Sequence, residues 1–448
     1  MNITFIGSGY VGLVSGIIMG YLGHNVTCLD NDEVKISKLN KQILPIYEAK
    51  LDEYLKQALE ANRLKFTNIY NNELQNAEAI FITVGTPSKE SGEADLKYVY
   101  DAIDRVSKHI NKDCLIVIKS TVPPDSCSNI IAYLKSKGFS FNVASNPEFL
   151  REGSAVEDFL YPDRIVIGVN NKESEEILRK IYAPLIEQGA KFVVTDLVTS
   201  ELIKYASNSF LATKIAFINE MADLCEKIGG NIKDLSKGVG LDQRIGQNFL
   251  NAGPGFGGSC FPKDILALNN LVENHHIDCK ILKAVIKSNK QRPSNMVDKI
   301  ATLLDGDLKG KNIAILGLTY KAGTDDVRAS PAIKIVKILL NKDVYVKAFD
   351  PIGLENAKKN LEHKNLLYLD SVAEACKSVD IIVIATEWLE FKELNWQGIY
   401  DLVKSPIIID LRNILDNEAM KKIGFRYYAV GSKLDVIPAK AGIHHKVR

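Results

Sequence analysis

The first dozen residues constrain this chain more than any other stretch. Asn2-Ile3-Thr4-Phe5-Ile6, a short apolar run, passes directly into Gly7-Ser8-Gly9-Tyr10-Val11-Gly12, which opens a helical pattern. Strand, glycine turn and helix in that order begin a βαβ unit, whose parallel strands need both sheet faces covered. In such a turn Gly7 takes the tight bend, Gly9 lets a pyrophosphate reach the backbone and Gly12 lets the helix lie close to the strand. The phosphates then meet the unpaired N–H groups of the helix N-terminus. Asp30 closes the next apolar run where a carboxylate accepts a ribose 2′-hydroxyl and repels a 2′-phosphate. The motif therefore predicts a bound dinucleotide, NAD in preference to NADP. The competing reading, a purely structural turn, leaves Asp30 unexplained.

Strand-like runs continue at residues 3–6, 26–29, 79–84, 115–119, 142–144, 164–169 and 191–195, with helical stretches such as 51–62 and 96–109 between most of them. The runs at both ends of the series are short and β-branched, as buried strands require. From Thr199 to about Arg292 the strands stop. Residues 200–228 carry apolar side chains at helical spacing, a helix is expected after Asp264, and another at 281–291 should stop before Pro293. After Asp307 the alternation returns and the chain repeats itself: Asn2-Ile-Thr-Phe-Ile-Gly7 resembles Asn312-Ile-Ala-Ile-Leu-Gly317, and Asp30 resembles Asp350. The expected fold class is α/β: two Rossmann-like, doubly wound parallel-sheet domains joined by a helical middle. The boundaries are 1–198, 199–295 and 308–436, with a basic, aperiodic tail at 437–448.

A chain of 448 residues is long enough for this. Its net charge of +1 gives no global field for nucleic acid or a membrane, and no run of 18 apolar residues would span one. The N-terminus lacks a signal-peptide pattern. Seven scattered cysteines, with no C-x-x-C pair, argue against a disulfide framework or a zinc site and for the reducing cytoplasm. No metal is expected.

Three further segments carry chemistry. Gly253-Pro-Gly-Phe-Gly257-Gly-Ser-Cys260-Phe-Pro-Lys263-Asp264 places a cysteine at the end of a glycine loop, before a helix and beside a lysine, a setting that favours the reactive thiolate. Taken alone, a buried inert thiol fits equally well; the other six cysteines are read that way. Asn146-Pro-Glu148-Phe149-Leu150-Arg151-Glu152-Gly153 follows a strand at the sheet edge where ligands bind, with two carboxylates that would lie one turn apart on a helix. Helix-start charges are the bland alternative. Lys204 and Asn208 share a helix face, although a lysine among apolar neighbours usually snorkels to solvent. In the second half, Gly317 stands without the G-x-G-x-x-G pattern, so no second dinucleotide site is expected; Lys321 and Arg328 suit phosphates or the surface alike.

Taken in order, these segments resemble the UDP-glucose/GDP-mannose dehydrogenase family from Met1 to about Asp435. Gly7–Gly12 with Tyr10 and Val11, Val84-Gly-Thr86-Pro87, Ser120-Thr121-Val-Pro123, Asn146–Gly153, Lys204–Asn208, the Cys260 loop and Lys321-x-x-Thr324-Asp-Asp-x-Arg328-x-Ser330-Pro331 all match. The resemblance implies an NAD-dependent oxidoreductase that forms a homodimer through its helical middle and takes a nucleotide sugar. Phe249-Leu250-Asn251-Ala252-Gly253 ahead of Ser259-Cys260 looks like the branch that takes UDP-glucose, although Phe249 stands where that branch often has tyrosine. GDP-mannose, a UDP-N-acetyl-hexosamine, or a non-catalytic sensor of nucleotide sugars are the alternatives; the complete Cys, Lys, Asn and Asp set argues against the last.

By resemblance, Cys260 is the nucleophile, Lys204 stabilises the oxyanion, and Asn208 contacts the reacting centre. Asp264 and Thr121 orient a water, and Glu148 assists proton transfer. Tyr10, Val11, Asp30, Lys35, Thr86, Thr121, Glu152, Lys263 and Arg328 join the glycines at the cofactor. Glu148, Phe149, Leu150, Arg151, Glu152, Lys204, Asn208, Phe249–Gly253, Gly257 and Lys321 meet the substrate, and Arg244 reaches the substrate of a neighbouring subunit.

Overall fold

The computed structural model describes residues 1–70 and 72–433; the tail expected at 437–448, and residues 434–436 before it, lie outside the described residues. The chain packs as two compact units. One comprises residues 1–210, 260–283 and 323–325, the other residues 211–259, 284–322 and 326–433.

The first unit holds eight strands: β1 (Asn2–Ile6), β2 (Asn25–Leu29), β3 (Leu64–Thr67), β4 (Ala79–Ile82), β5 (Leu115–Ile118), β6 (Val143–Ser145), β7 (Arg164–Gly168) and β8 (Lys191–Thr195). They form one sheet in the order β3-β2-β1-β4-β5-β6-β7-β8, parallel except where β7 meets β6 antiparallel. Side chains alternate across the pleat. Phe5, Phe81 and Val117 face a core shared with helices Tyr10–Tyr21 and Leu51–Glu60. Ile80, Ile82, Ile116 and Ile118 face the opposite core, under helices Lys97–Val106 and Ser126–Ser136. Because β1 lies between β2 and β4, the strand order reverses beside it, and a crevice opens at the C-terminal strand ends.

Two expectations need correction here. Strand β3 was not foreseen: its Leu-Lys-Phe-Thr run is four residues long and buries only alternate positions. The expectation of a buried last strand also fails, since Val193 and Val194 are exposed; β8 ends the sheet and has a neighbour on one side only.

In the second unit, β9 (Asn312–Leu316), β10 (Tyr345–Phe349), β11 (Leu366–Tyr368), β12 (Ile381–Ile384), β13 (Ile407–Asp410) and β14 (Arg426–Ala429) make an all-parallel sheet, β11-β10-β9-β12-β13-β14. The internal repeat is visible atom by atom. Gly7 N–H donates to Leu29 O at 2.7 Å with φ +100°, and Gly317 N–H donates to Phe349 O at 2.8 Å with φ +93°.

Helices Leu197–Ile228, Ile232–Gly240, Phe261–Asn274 and Lys280–Leu303 form the middle of the sequence. The helix expected after Asp264 begins earlier, at Phe261, because Pro262 suits a first turn whose N–H groups are unpaired anyway. The expected stop before Pro293 does not occur: the helix continues to Leu303. Burial of Met296, Val297 and Ile300, together with the buried Arg292, outweighs a proline cost of about 3 kcal/mol. Among the described residues no helix is long and apolar enough to cross a membrane, and no group of His, Cys, Asp or Glu could hold a metal ion.

Candidate active site

In the first unit the glycine turn is built from both sides. A Cβ on Gly12 would lie 2.0 Å from Gly7 O and 2.5 Å from Thr83 Oγ1, whereas one on Gly9 would meet nothing within 4 Å. Gly12 therefore closes helix onto strand, and Gly9 presents bare backbone to open space at the N-terminus of helix Tyr10–Tyr21, whose first turn holds no acidic residue. Asp30 Oδ2 accepts from Ser8 N–H at 2.7 Å and from Lys35 Nζ at 2.8 Å, and Oδ1 accepts from Asp32 N–H at 3.0 Å. Burial pushes this carboxyl up, but Lys35 and the N–H donors outweigh it and hold it below its ordinary value. A cavity of about 470 Å³ runs from Gly7 and Gly9 past Asp30 and Lys35 to Tyr70 and Arg105. An anion-ready turn and an ionised acid on one cavity fit a dinucleotide.

A buried polar cluster lies in the same unit. Cys260 is the half-buried N-cap of helix Phe261–Asn274, and its carbonyl accepts from Asp264 N–H at 2.8 Å. Asp264, fully buried, accepts from Asn208 Nδ2 and from Lys263 Nζ, each at 2.6 Å. One turn back along the helix from Asn208, Lys204 Nζ pairs with Glu148 Oε1 at 3.0 Å, and both side chains are about 95% buried. Burial pulls the Lys204 ammonium down, but Glu148, Cys260 and Asp264 outweigh it, so its affinity for the proton is raised. Glu148 also accepts from Leu150 N–H at 2.6 Å. Thr86 Oγ1 donates to Thr121 O at 2.8 Å and lies 3.5 Å from Lys263 Nζ.

Residues 146–153 form an irregular loop, so Glu148 and Glu152 do not sit one turn apart on a helix: Glu148 goes to Lys204, and Glu152 accepts from Thr324 Oγ1 at 3.3 Å. Phe149 lies under the Arg164 guanidinium at 3.7 Å, and Arg151 is exposed and paired with Asp158. Of the six cysteines read as buried, Cys279 is only half-buried.

In the second unit the glycine loop is clamped from distant positions. Phe249 adopts φ +65°, strained for an aromatic residue, and leads into buried Leu250 and Ala252, while Asn251 is exposed. Gly253 N–H donates to Asn219 Oδ1 at 2.8 Å, and its carbonyl accepts from Arg292 Nε at 2.9 Å. Asn289 bonds both the N–H and the carbonyl of Phe256. A Cβ on Gly257 would strike Ala329 O at 2.6 Å. Lys321 lies over the Tyr320 ring, Arg328 pairs with Asp326, and Arg244 is 89% exposed and pairs with Asp242. A cavity of about 630 Å³ opens beside Asn251 and Ala252, with Lys233, Lys392 and Arg412 on its walls. Asp350, the counterpart of Asp30, is buried and accepts from Leu318, Thr319, Ile352 and Gly353 N–H, from the Thr319 hydroxyl and from Trp388 Nε1.

Residues 1–186 match the NAD binding domain of the UDP-glucose/GDP-mannose dehydrogenase family, residues 198–291 its central domain and residues 314–417 its UDP binding domain. The chain belongs to this family. It is 98% identical, over the full length of both chains, to a UDP-glucose 6-dehydrogenase of Rickettsia felis. A UDP-glucose 6-dehydrogenase of Rickettsia conorii is 94% identical, across 97% of this chain and all of its own. Among solved structures, a UDP-glucose dehydrogenase from Pyrobaculum islandicum superposes with TM-score 0.89 at 36% identity, covering 97% of this chain and 98% of that one.

Sequence reasoning about this dehydrogenase missed the side chains that hold its loops: Asn219, Asn289 and Arg292 on the glycine loop, and Tyr70 and Arg105 on the dinucleotide cavity. Arg292 shows its role only in the structure: a buried arginine needs partners, and it finds Asp223 at 2.6 Å and Gly253 O.

Proposed function

We propose that the chain oxidises the C6 alcohol of UDP-glucose to a carboxylate in two hydride transfers, with Cys260 as covalent nucleophile. The observation that carries this reading is the buried set Lys204, Glu148, Asn208 and Asp264 at the start of the Cys260 helix, in the unit that also holds the glycine turn. Bound at that turn, NAD supplies the hydride acceptor, one molecule for each oxidation. The second half lacks the turn, so one site serves twice. A covalent link on Cys260 keeps the aldehyde in place during the exchange.

The residue types suit each step. Glu148 assists removal of the hydroxyl proton as C6 loses its first hydride. A bare aldehyde carbon has no second hydride to give easily until a nucleophile adds. The Cys260 thiolate adds to C6, and the resulting oxyanion is held by the Lys204 ammonium and the Asn208 amide. Loss of the second hydride leaves a thioester. A water oriented by Asp264 and Thr121 attacks it, the C–S bond breaks, and the acid leaves with the thiolate restored. Gly7, Gly9, Tyr10, Val11, Gly12, Asp30, Lys35, Thr86, Glu152, Lys263 and Arg328 are assigned to the cofactor. Phe149, Leu150, Arg151, Phe249–Gly253, Gly257 and Lys321 are assigned to the nucleotide sugar.

We assign three functional domains, 1–198, 199–295 and 308–436, and a homodimer. Helix Leu197–Ile228 supports the latter: Val198, Leu202, Phe210, Phe217, Leu224 and Ile228 recur at helical spacing and are exposed, the pattern of a face awaiting a partner. Arg244, exposed beside its partner Asp242, is assigned to the partner copy's substrate. A reducing cytoplasm suits a cysteine chemistry in which no disulfide joins the described cysteines.

NADH absorbance tests the activity. Two NADH are expected per UDP-glucose, with little from GDP-mannose or UDP-N-acetylglucosamine. Cys260→Ser should bind NAD and stall as a slow ester visible as a mass adduct. A ratio near one, or full activity in Cys260→Ala, would overturn the covalent double oxidation. No turnover with any sugar would favour the sensor reading.

A further inference from the structure

Lys119 directly follows β5 and is 96% buried. Among the described residues it makes no ion pair. Its Nζ instead donates to Asn146 Oδ1 at 3.1 Å and to the Tyr182 hydroxyl at 3.4 Å, while Tyr182 itself donates to Asn146 Oδ1 at 2.5 Å. Asn146 is fixed from its other end, where Nδ2 donates to Val166 O at 2.8 Å. A buried ammonium held only by an amide and a phenol is costly, and a neutral side chain of the same length would avoid that cost. What recommends the charge is its surroundings. Asn146 stands two residues before Glu148, and a cavity of about 40 Å³ is lined by Lys119, Asn146, Glu148 and Tyr182.

The groups facing Lys119 come from every element packed around it. Asn146 and Glu148 lie on the loop after β6, Arg164 on β7, Asp158 and Phe159 on helix Ala155–Leu160, and Tyr182 after helix Lys172–Ile181; Lys204, on helix Leu197–Ile228 and paired with Glu148, acts on Lys119 by its charge. Burial and, to a lesser degree, Lys204 pull the ammonium down while Glu148 pushes it up, and the balance leaves it lowered to about 8. The two lysines thus share one carboxylate, one in contact with it and one a step behind.

We propose that Lys119 is a positioning residue of the oxidation site: it locks Asn146 and Tyr182 and, by its charge, holds the Glu148 carboxylate in the place from which it takes the proton. This rests on the reading of Glu148 as the proton-transfer group. Above about pH 8 the native ammonium discharges by itself, and its charge is lost from the cavity in the wild type too.

The experiment compares Lys119→Met, which keeps length and loses charge, with Lys119→Arg, which keeps the charge. kcat and KM for UDP-glucose and for NAD are measured across the pH range, with thermal unfolding alongside. In Lys119→Met kcat should fall about tenfold below about pH 8, where the wild-type ammonium is charged, with KM for NAD unchanged. Variant and wild type should converge above about pH 8. Lys119→Arg should keep the wild-type profile. A merely structural lysine would lower activity by the same factor at every pH, and that result, or an unchanged kcat, overturns the proposal. Should Lys119→Met fail to fold, Lys119→Gln and Lys119→Arg decide: the first should show the loss below about pH 8, the second should not, and any other pair of results refutes the idea. Glu148→Gln is run in parallel. Wild-type kcat there would sink the reading of Glu148, whereas a crippled Glu148→Gln beside an unimpaired Lys119→Met would sink only the role of Lys119.

Discussion

Gly9 and Gly12 stand three residues apart in one motif, yet substituting each should damage a different property. In Gly12→Ala the new Cβ falls 2.0 Å from Gly7 O and 2.5 Å from Thr83 Oγ1, where ordinary contact begins at 3.4 Å. Neither neighbour can yield cheaply. Gly7 O is backbone at the end of β1, and Thr83 Oγ1 already donates to it at 2.8 Å. Helix Tyr10–Tyr21, with Leu13, Val14, Ile17 and Ile18 fully buried, must therefore retreat by more than about 1 Å from a close-packed core. Overpacking of that kind costs about 1–3 kcal/mol. At about 2–4 °C per kcal/mol for a domain of this size, Tm should fall by about 2–12 °C. In Gly9→Ala the methyl meets nothing in the protein, and φ −74° suits any residue. A less favourable N-cap and a stiffer unfolded chain roughly offset one another. Tm should stay within about 2 °C while KM for NAD rises about tenfold or more, because the methyl stands where the pyrophosphate must approach. Differential scanning fluorimetry without ligand, followed by NAD titration, separates the two. Equal Tm losses in both variants, or an unchanged Tm in Gly12→Ala, would refute the reasoning.

Asp30→Ala should lower kcat/KM with NAD and raise it with NADP, since it leaves Lys35 beside the ribose site without its anion; wild-type preference for NADP would contradict this. Phe210→Asp, placed on the exposed apolar face of helix Leu197–Ile228, should turn a dimer into a monomer in sedimentation velocity with little change in Tm; a wild type that sediments as a monomer would remove the homodimer.

The fold was legible where burial leaves a regular trace. Strands β1, β2, β4 and β5 are apolar runs, and the repeat of Gly7 at Gly317 carried the second sheet. It was illegible at the edges of the second sheet: β11 has three residues, and Arg-Tyr-Tyr-Ala in β14 lacks Val, Ile and Leu. Pro293 misled because local propensity cannot register the burial of Met296 and Ile300 beyond it. At the site, Lys204, Asn208, Cys260 and Asp264 could be singled out from their own segments and from the family's pattern. Lys119, Asn219 and Arg292 could not, because their meaning lies in what they touch: Asn146 is 27 positions from Lys119, Gly253 is 34 from Asn219 and 39 from Arg292.

The two aspartates that close the second strand of each sheet do different work. Asp30 accepts a single bond on Oδ1 and has capacity there for a guest, while Asp350 has turned its acceptor capacity inward, to six donors from its own sheet edge and from Trp388. Drift at these positions is therefore exposed to selection through different failures. A lost Asp30 yields an intact protein with the wrong nucleotide preference, which a change in metabolite supply could tolerate or reward. A lost Asp350 yields a chain that no change of diet can rescue. The half whose aspartate has turned inward is thereby the less free of the two to change at this position.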